Sequence, residues 1–161
     1  MNAPAFYILA SAAALSTLMA ITRREMIHAV VYLVMSFFAL ALIFYMMGAP
    51  LIAALEVIVY AGAIMVLFLF IVMMLDAGGR GRTPGPFIKT WGPALLIGAV
   101  ILVCLGALMT AGTGMTAAGA AYISPRTFGQ ALYTRHMPAV EAVSLLLLFA
   151  LVGALYLGKH D

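Results

Sequence analysis

The amino-acid sequence predicts an all-α, polytopic integral membrane protein with five transmembrane helices. Of its 161 residues, 66% are hydrophobic and only 8% are charged, whereas a soluble domain carries roughly 25% charged residues. The apolar residues fall into five runs, and each run approaches or exceeds the roughly 20 residues that an α-helix needs to cross the hydrocarbon core. Five spans use most of the chain, so little of it remains for a catalytic domain outside the lipid.

The five predicted spans form a single transmembrane domain over residues 1–161. They cover residues 3–21, 26–47, 51–75, 91–111 and 138–157. The first run has no basic residue before it and two after it, Arg23 and Arg24, which is the reverse of a secretory signal peptide. We therefore interpret it as a retained helix. Residues 112–137 are predicted to form an external loop, with a short strand pair or an interfacial helix as alternatives within it.

The third run, residues 51–75, is longer than a span requires. A regular helix of this length measures about 37 Å, which exceeds the roughly 30 Å hydrocarbon core. Gly62 lies near the middle of the run, and a glycine there loosens the helical backbone. Tilt or a local distortion such as a π-bulge would absorb the excess length. On the residues alone, the small residues around Gly62 are explained better as a flat surface for a neighbouring helix.

The basic residues predict the orientation in the membrane. Alternating spans place six of them on one side, namely Arg23, Arg24, Arg80, Arg82, Lys89 and Lys159, and two on the other, Arg126 and Arg135. Because basic residues favour the cytoplasmic side, the N-terminus is predicted to lie outside and the C-terminus in the cytoplasm. The cations are spread along the chain, so the lipid bilayer is a predicted partner and nucleic acid is not.

The metal-binding and redox residue types are few and scattered. Cys104 is the single cysteine of the chain, so neither an intrachain disulfide nor a cysteine-ligated metal site is expected. His28, His136 and His160 do not share a metal-ligand spacing. We predict no metal and no redox cofactor in this chain alone.

Two carboxylates fall inside predicted spans, where they are costly and therefore functional candidates. In a regular helix, Glu56 lies about 10 Å on the outer side of the midpoint of the third span. Removal from water disfavours its charged form, which makes it a candidate proton carrier; a structural, neutral glutamate is the alternative. Tyr60 shares its helix face and can donate a hydrogen bond to it. Glu141, near the start of the fifth span, is explained at least as well by the helix dipole.

Two segments resemble a known family. Residues 54–75, ALEVIVYAGAIMVLFLFIVMML, are similar to the third span of chain J of NADH-quinone oxidoreductase, respiratory complex I, and its mitochondrial counterpart, chain 6. Residues 28–33, HAVVYL, at the start of the second span extend the resemblance, as does the five-span layout. One departure precedes His28, where the family often has Asn-Pro and this chain has Arg24-Glu25-Met26-Ile27.

The resemblance implies a membrane-arm subunit of a proton-translocating NADH:quinone reductase in a bacterial inner membrane. It implies no catalytic centre in this chain, because NADH, FMN, the iron–sulfur clusters and the quinone are expected in other subunits. The expected partners are chains A, H and K and an antiporter-like subunit. A structural helix bundle bridging larger subunits and a free-standing small transporter are the alternative functions.

The resemblance also implies roles for residues of the third span. It places a π-bulge around Tyr60 to Gly62, whose change toward a regular α-helix is linked to quinone chemistry and proton pumping. Glu56 matches an intramembrane glutamate in a chain of buried ionisable groups. Straightening the bulge would move Met65 and Phe68, the candidate hydrophobic gate, relative to Glu56. His28 and Glu141 are additional candidates.

Overall fold

The structure is a computed structural model that describes residues 3–23, 25–75, 87–111 and 124–159. The regular structure in these ranges is helical, in the order α1 (Ala3–Thr22), α2 (Met26–Met46), α3 (Pro50–Leu75), α4 (Phe87–Ala111), α5 (Pro125–Arg135) and α6 (Met137–Gly158). Five of these helices, all except α5, are long and apolar enough to cross a membrane. The predicted all-α fold with five spans is confirmed.

The observed helices match the predicted spans to within one residue at every end except the start of α4, and the predicted loop holds a further helix. Helix α4 begins at Phe87, four residues before the predicted start at Trp91, and therefore includes Lys89. The predicted external loop contains α5, so of its two alternatives the structure shows the helix. The part of that loop over residues 112–123 lies outside the described residues.

The chain divides into two compact units, Met1–Tyr122 and Ile123–Asp161. In the second unit, α5 and α6 are separated by one residue, His136, whose backbone N–H donates to the carbonyl of Leu132 at 3.2 Å. The first unit holds α1 to α4 and contains the candidate site.

Helices α1, α2 and α4 pack around a shared core. Its buried side chains are mostly small or branched: Ala13 from α1, Tyr32 and Ala39 from α2, and Ala94, Ile97 and Ile101 from α4. Leu9, Met46 and Leu108 form a second buried cluster between the same three helices. The alanines allow the backbones to approach closely, which is how helices gain packing contacts in lipid.

Hydrogen bonds fix α1 to α2. The hydroxyl oxygens of Thr17 and Ser36 lie 2.8 Å apart, and Ser36 Oγ also donates to the Ala13 carbonyl at 3.3 Å. Toward the other end, Arg23 Nη2 donates to the hydroxyl of buried Tyr32 at 3.2 Å. Because apolar side chains gain little by leaving lipid for a protein interior, such bonds are a main source of specific helix pairing. Helices α1, α2 and α4 together are named the three-helix frame.

A tight turn returns the chain from α2 to α3. Gly48 has φ of 81°, a left-handed conformation that glycine adopts without a steric penalty. Its N–H donates to the carbonyl of Tyr45 at 3.1 Å, and the N–H of Ala49 donates to that of Phe44 at 3.0 Å. These two bonds satisfy the last carbonyls of α2 in a Schellman motif. Pro50 then begins α3, which packs chiefly against α2.

Candidate functional site in the third helix

Helix α3 changes its hydrogen-bond pattern along its length. Pro50–Leu55 and Met65–Leu75 are α-helical, and Glu56–Ile64 between them is a π-helix of nine residues. In a π-helix each N–H bonds to the carbonyl five residues back instead of four; the N–H of Met65 still bonds to the carbonyl of Tyr60. The predicted π-bulge is confirmed, and the π segment extends beyond Tyr60 to Gly62 on both sides.

Gly62 fits the π segment because it lacks a side chain. A Cβ atom at this position would lie 3.1 Å from the carbonyl oxygen of Val57, five residues back. That contact is tighter than nearly all contacts of real Cβ atoms, and the opposing atom belongs to the helix backbone. Ala61 is buried whereas Ala63 is exposed, so the small residues do not all serve one packed surface. A side chain at position 62 would require a shift of a few tenths of an ångström between it and the Val57 carbonyl in this π geometry.

Glu56 is the first residue of the π segment and is half-buried. Within the described part of the chain, its carboxylate has neither a hydrogen-bond nor an ion-pair partner. The hydrogen bond expected from Tyr60 is not formed. Instead, the Tyr60 ring packs on Phe37 of α2, with 5.7 Å between ring centroids and an interplanar angle of 48°. Glu56 is thus left without a neutralising group from the residues around it.

The two gate candidates follow the π segment directly. Met65 is the first residue of the final α-helical segment and is half-buried, and Phe68 is 46% exposed. Val72, further along the same segment, is buried. Because these residues share one rigid helical segment, any change in the number of residues per turn before Met65 would move all of them together.

His28 belongs to a different cluster, at the start of α2. Its Nδ1 lies 2.6 Å from Oε2 of Glu25, and its ring centroid lies 4.9 Å from that of Trp91 in α4. Glu25 occupies the N-cap position of α2 without making a capping bond. Glu25 thus supplies a carboxylate that contacts His28, and the helix begins at Met26.

Glu141 lies in the second unit, and the structure does not favour the dipole explanation for it. It is the fifth residue of α6, which begins at Met137, and the helix dipole acts mainly within the first turn. Its backbone carbonyl accepts a hydrogen bond from Ser144 Oγ at 2.7 Å. No group of three or more His, Cys, Asp or Glu residues that could hold a metal ion occurs among the described residues of either unit.

These features define a class: an all-α membrane protein with several spans, one of which is interrupted by a π segment that starts at a carboxylate. Residues 16–157 match the family described as NADH-ubiquinone/plastoquinone oxidoreductase chain 6. The chain belongs to this family, as its third span indicates.

Similar bacterial proteins cover nearly the whole chain. It is 42% identical to NADH-quinone oxidoreductase subunit J of Pseudomonas aeruginosa, with 98% of this chain and 96% of the relative covered. Identity to the subunit J of Escherichia coli strain K12 is 40%, with coverage of 98% and 86%. For that of Rhodobacter capsulatus it is 36%, with coverage of 95% and 79%. The similarity thus extends well beyond the third span.

Proposed function

We propose that the chain is a membrane-arm subunit of a proton-translocating NADH:quinone oxidoreductase and that α3 helps to couple quinone reduction to proton pumping. Family membership supports the first part. The observation that carries the second is the nine-residue π segment, which begins at the single carboxylate of α3. A distorted backbone and a membrane-embedded acid are both costly, and their coincidence in one span favours a functional role.

The proposed mechanism is a change of α3 between π and regular α-helical hydrogen bonding. A shift of the hydrogen-bond register by one residue rotates the part of α3 that follows the π segment by roughly 100°. Met65 and Phe68 would therefore swing relative to Glu56. A constriction formed by these apolar side chains would open and close to water, and Glu56 would take up or release a proton when water reaches it.

The chain would act inside a larger assembly. Its expected neighbours are chains A, H and K and an antiporter-like subunit, and NADH, FMN, iron–sulfur clusters and quinone belong to other subunits. In the bacterial inner membrane, the distribution of basic residues puts the N-terminus on the periplasmic side and the C-terminus in the cytoplasm. Most residues of α3 are not buried by the described part of the chain, so we infer that they face lipid and those neighbours.

Purification of the tagged chain in a mild detergent separates the main alternatives. We expect it to co-migrate with many other chains in a particle that reduces quinone with NADH, because a subunit that packs only part of α3 relies on its neighbours for the rest. A free-standing transporter would migrate alone or as a small homo-oligomer. That result would contradict the proposal.

A density map of the assembled complex, at rest and during turnover, tests the switch itself. We expect residues 56–64 to be π-helical in one state and α-helical in the other, with Phe68 rotated by roughly 100° between them. The acceptors of the Met65 N–H report the change, since they are the carbonyls of Tyr60 and Gly62 in the π form, whereas the carbonyl of Ala61 would accept in the α form. If the Met65 N–H has the same acceptors in both maps, α3 does not change its register and the proposed switch is wrong.

A further inference from the structure

The three-helix frame holds α2 on two sides. Thr17 of α1 bonds to Ser36 at 2.8 Å. On the α4 side, a Cβ added to Gly98 would lie 3.5 Å from Met35 Cε, so Met35 rests on the glycine surface of α4. Met35 and Ser36 are consecutive in α2, and each faces a different neighbour. The next residue, Phe37, therefore projects from a part of the backbone that is fixed in place.

The contact between α2 and the π segment is of another kind. Phe37 packs its ring on that of Tyr60 at 5.7 Å between centroids, and in the described part of the chain no side-chain hydrogen bond joins α2 to α3. Tyr60 is the central residue of the nine-residue π segment and is 50% exposed. One side of the Tyr60 ring thus contacts Phe37 of the frame, and about half of the residue remains exposed.

We propose that Phe37 is a positioning residue that sets the register of the π segment through Tyr60. A change between π and α hydrogen bonding turns the helix under Tyr60, so its ring keeps contact with Phe37 in one register and loses it in the other. An aromatic pair of this geometry shifts an equilibrium by about 2- to 10-fold. The contact is made in only one of the two registers, so it stabilises that register relative to the other. The consequence for proton pumping rests on the function proposed above.

Hydrogen exchange in the purified, assembled complex tests this proposal without turnover. Phe37→Leu and Tyr60→Leu should each speed amide exchange over residues 57–65 by about 2- to 10-fold, because these amides exchange only when their hydrogen bonds open and the ring pair stabilises the π-bonded segment against opening. Phe38→Leu is the matched control. Phe38 is the next residue in α2 and has no ring partner within the described residues, so its loss should leave exchange there unchanged. Phe37→Tyr keeps an aromatic ring at this position, so amide exchange over residues 57–65 should stay as slow as in the unaltered complex.

A double-mutant cycle decides whether the two rings act as a pair. If they do, the Phe37→Leu, Tyr60→Leu double variant exchanges no faster than either single variant. Two results would overturn the proposal. One is a double variant whose acceleration is the product of the two single accelerations, and the other is an acceleration in Phe38→Leu equal to that in Phe37→Leu. Should Phe37→Leu reduce the amount of assembled complex, Phe37→Met, which places an unbranched and flexible apolar side chain there without the ring, should give the same acceleration.

The proton-to-electron ratio of the same variants separates this proposal from the function on which it rests. Faster exchange with a lower ratio is expected if the π register matters to coupling. Faster exchange with an unchanged ratio would uphold the positioning role of Phe37 and contradict the coupling role of α3. Unchanged exchange would overturn the positioning role whatever the ratio.

Discussion

Glu56→Gln is expected to lower proton pumping by the assembled complex about tenfold or more, while the amount of complex stays the same. Glutamine keeps the size and the hydrogen-bonding capacity of the side chain but cannot carry a proton. The carboxylate has no partner within the described residues, so its removal leaves no unpaired charge nearby to destabilise the protein. A pH-sensitive dye in inverted vesicles measures pumping during NADH oxidation, and quinone reduction is followed in parallel.

Glu25→Gln provides the control for this substitution. It makes the same chemical change in a carboxylate at the start of α2 that pairs with His28 and lies before the second span. We expect pumping within about twofold of the unaltered complex, since the lost interaction is a partly exposed contact between Glu25 and His28. Normal pumping in Glu56→Gln would reduce Glu56 to a structural residue and favour the alternative of a bridging helix bundle.

The five spans could be predicted because lipid imposes a simple rule on sequence. A helix that crosses the membrane must be apolar over about 20 residues, and this chain interrupts its apolar runs with glycine, proline or charge. The start of α4 was predicted four residues too late. Phe87 and Ile88 lie between prolines and a lysine, and hydrophobicity alone does not show on which side of such a boundary a helix begins.

The extent of the π segment could not be predicted in the same way. Residues 57–75 are almost all apolar, so no alternation of polar and apolar residues reports how many residues make a turn. Excess length and Gly62 indicated a distortion without placing it, and the family resemblance placed it at Tyr60 to Gly62. That it begins at Glu56, and that Phe37 meets Tyr60, depends on packing that an apolar pattern does not encode.

Other contacts did leave a signal in the sequence. Hydroxyl residues inside apolar spans often bond to a neighbouring helix, and Thr17 and Ser36 are such residues in the first two spans. Glu25 stands three residues before His28, a spacing at which side chains meet on a helix. The partner of each hydroxyl could not be predicted, because it depends on the helix arrangement.

Gly62→Val is expected to allow assembly and to lower the number of protons pumped per electron about tenfold. The added Cβ would lie 3.1 Å from the Val57 carbonyl oxygen, and valine adds two methyl groups in the same region. Overpacking of this kind costs about 1–3 kcal/mol, which is enough to shift a two-state helix by about one order of magnitude. The π form carries this cost, so α3 would be held as a regular helix. Gly62→Ala should have a smaller effect in the same direction.

Gly106→Val separates the contact from the residue change itself. Gly106 lies within α4, and a Cβ there would meet nothing within 4 Å, so the same substitution adds a side chain without strain against the backbone. Both variants also remove a helix-interior glycine, so their general effect on helix propensity is shared. A loss of pumping in Gly62→Val that is absent in Gly106→Val is therefore specific to the π segment and is not a general effect of replacing a helical glycine. Full pumping in an assembled Gly62→Val complex would mean that the π segment does not need to change for protons to move.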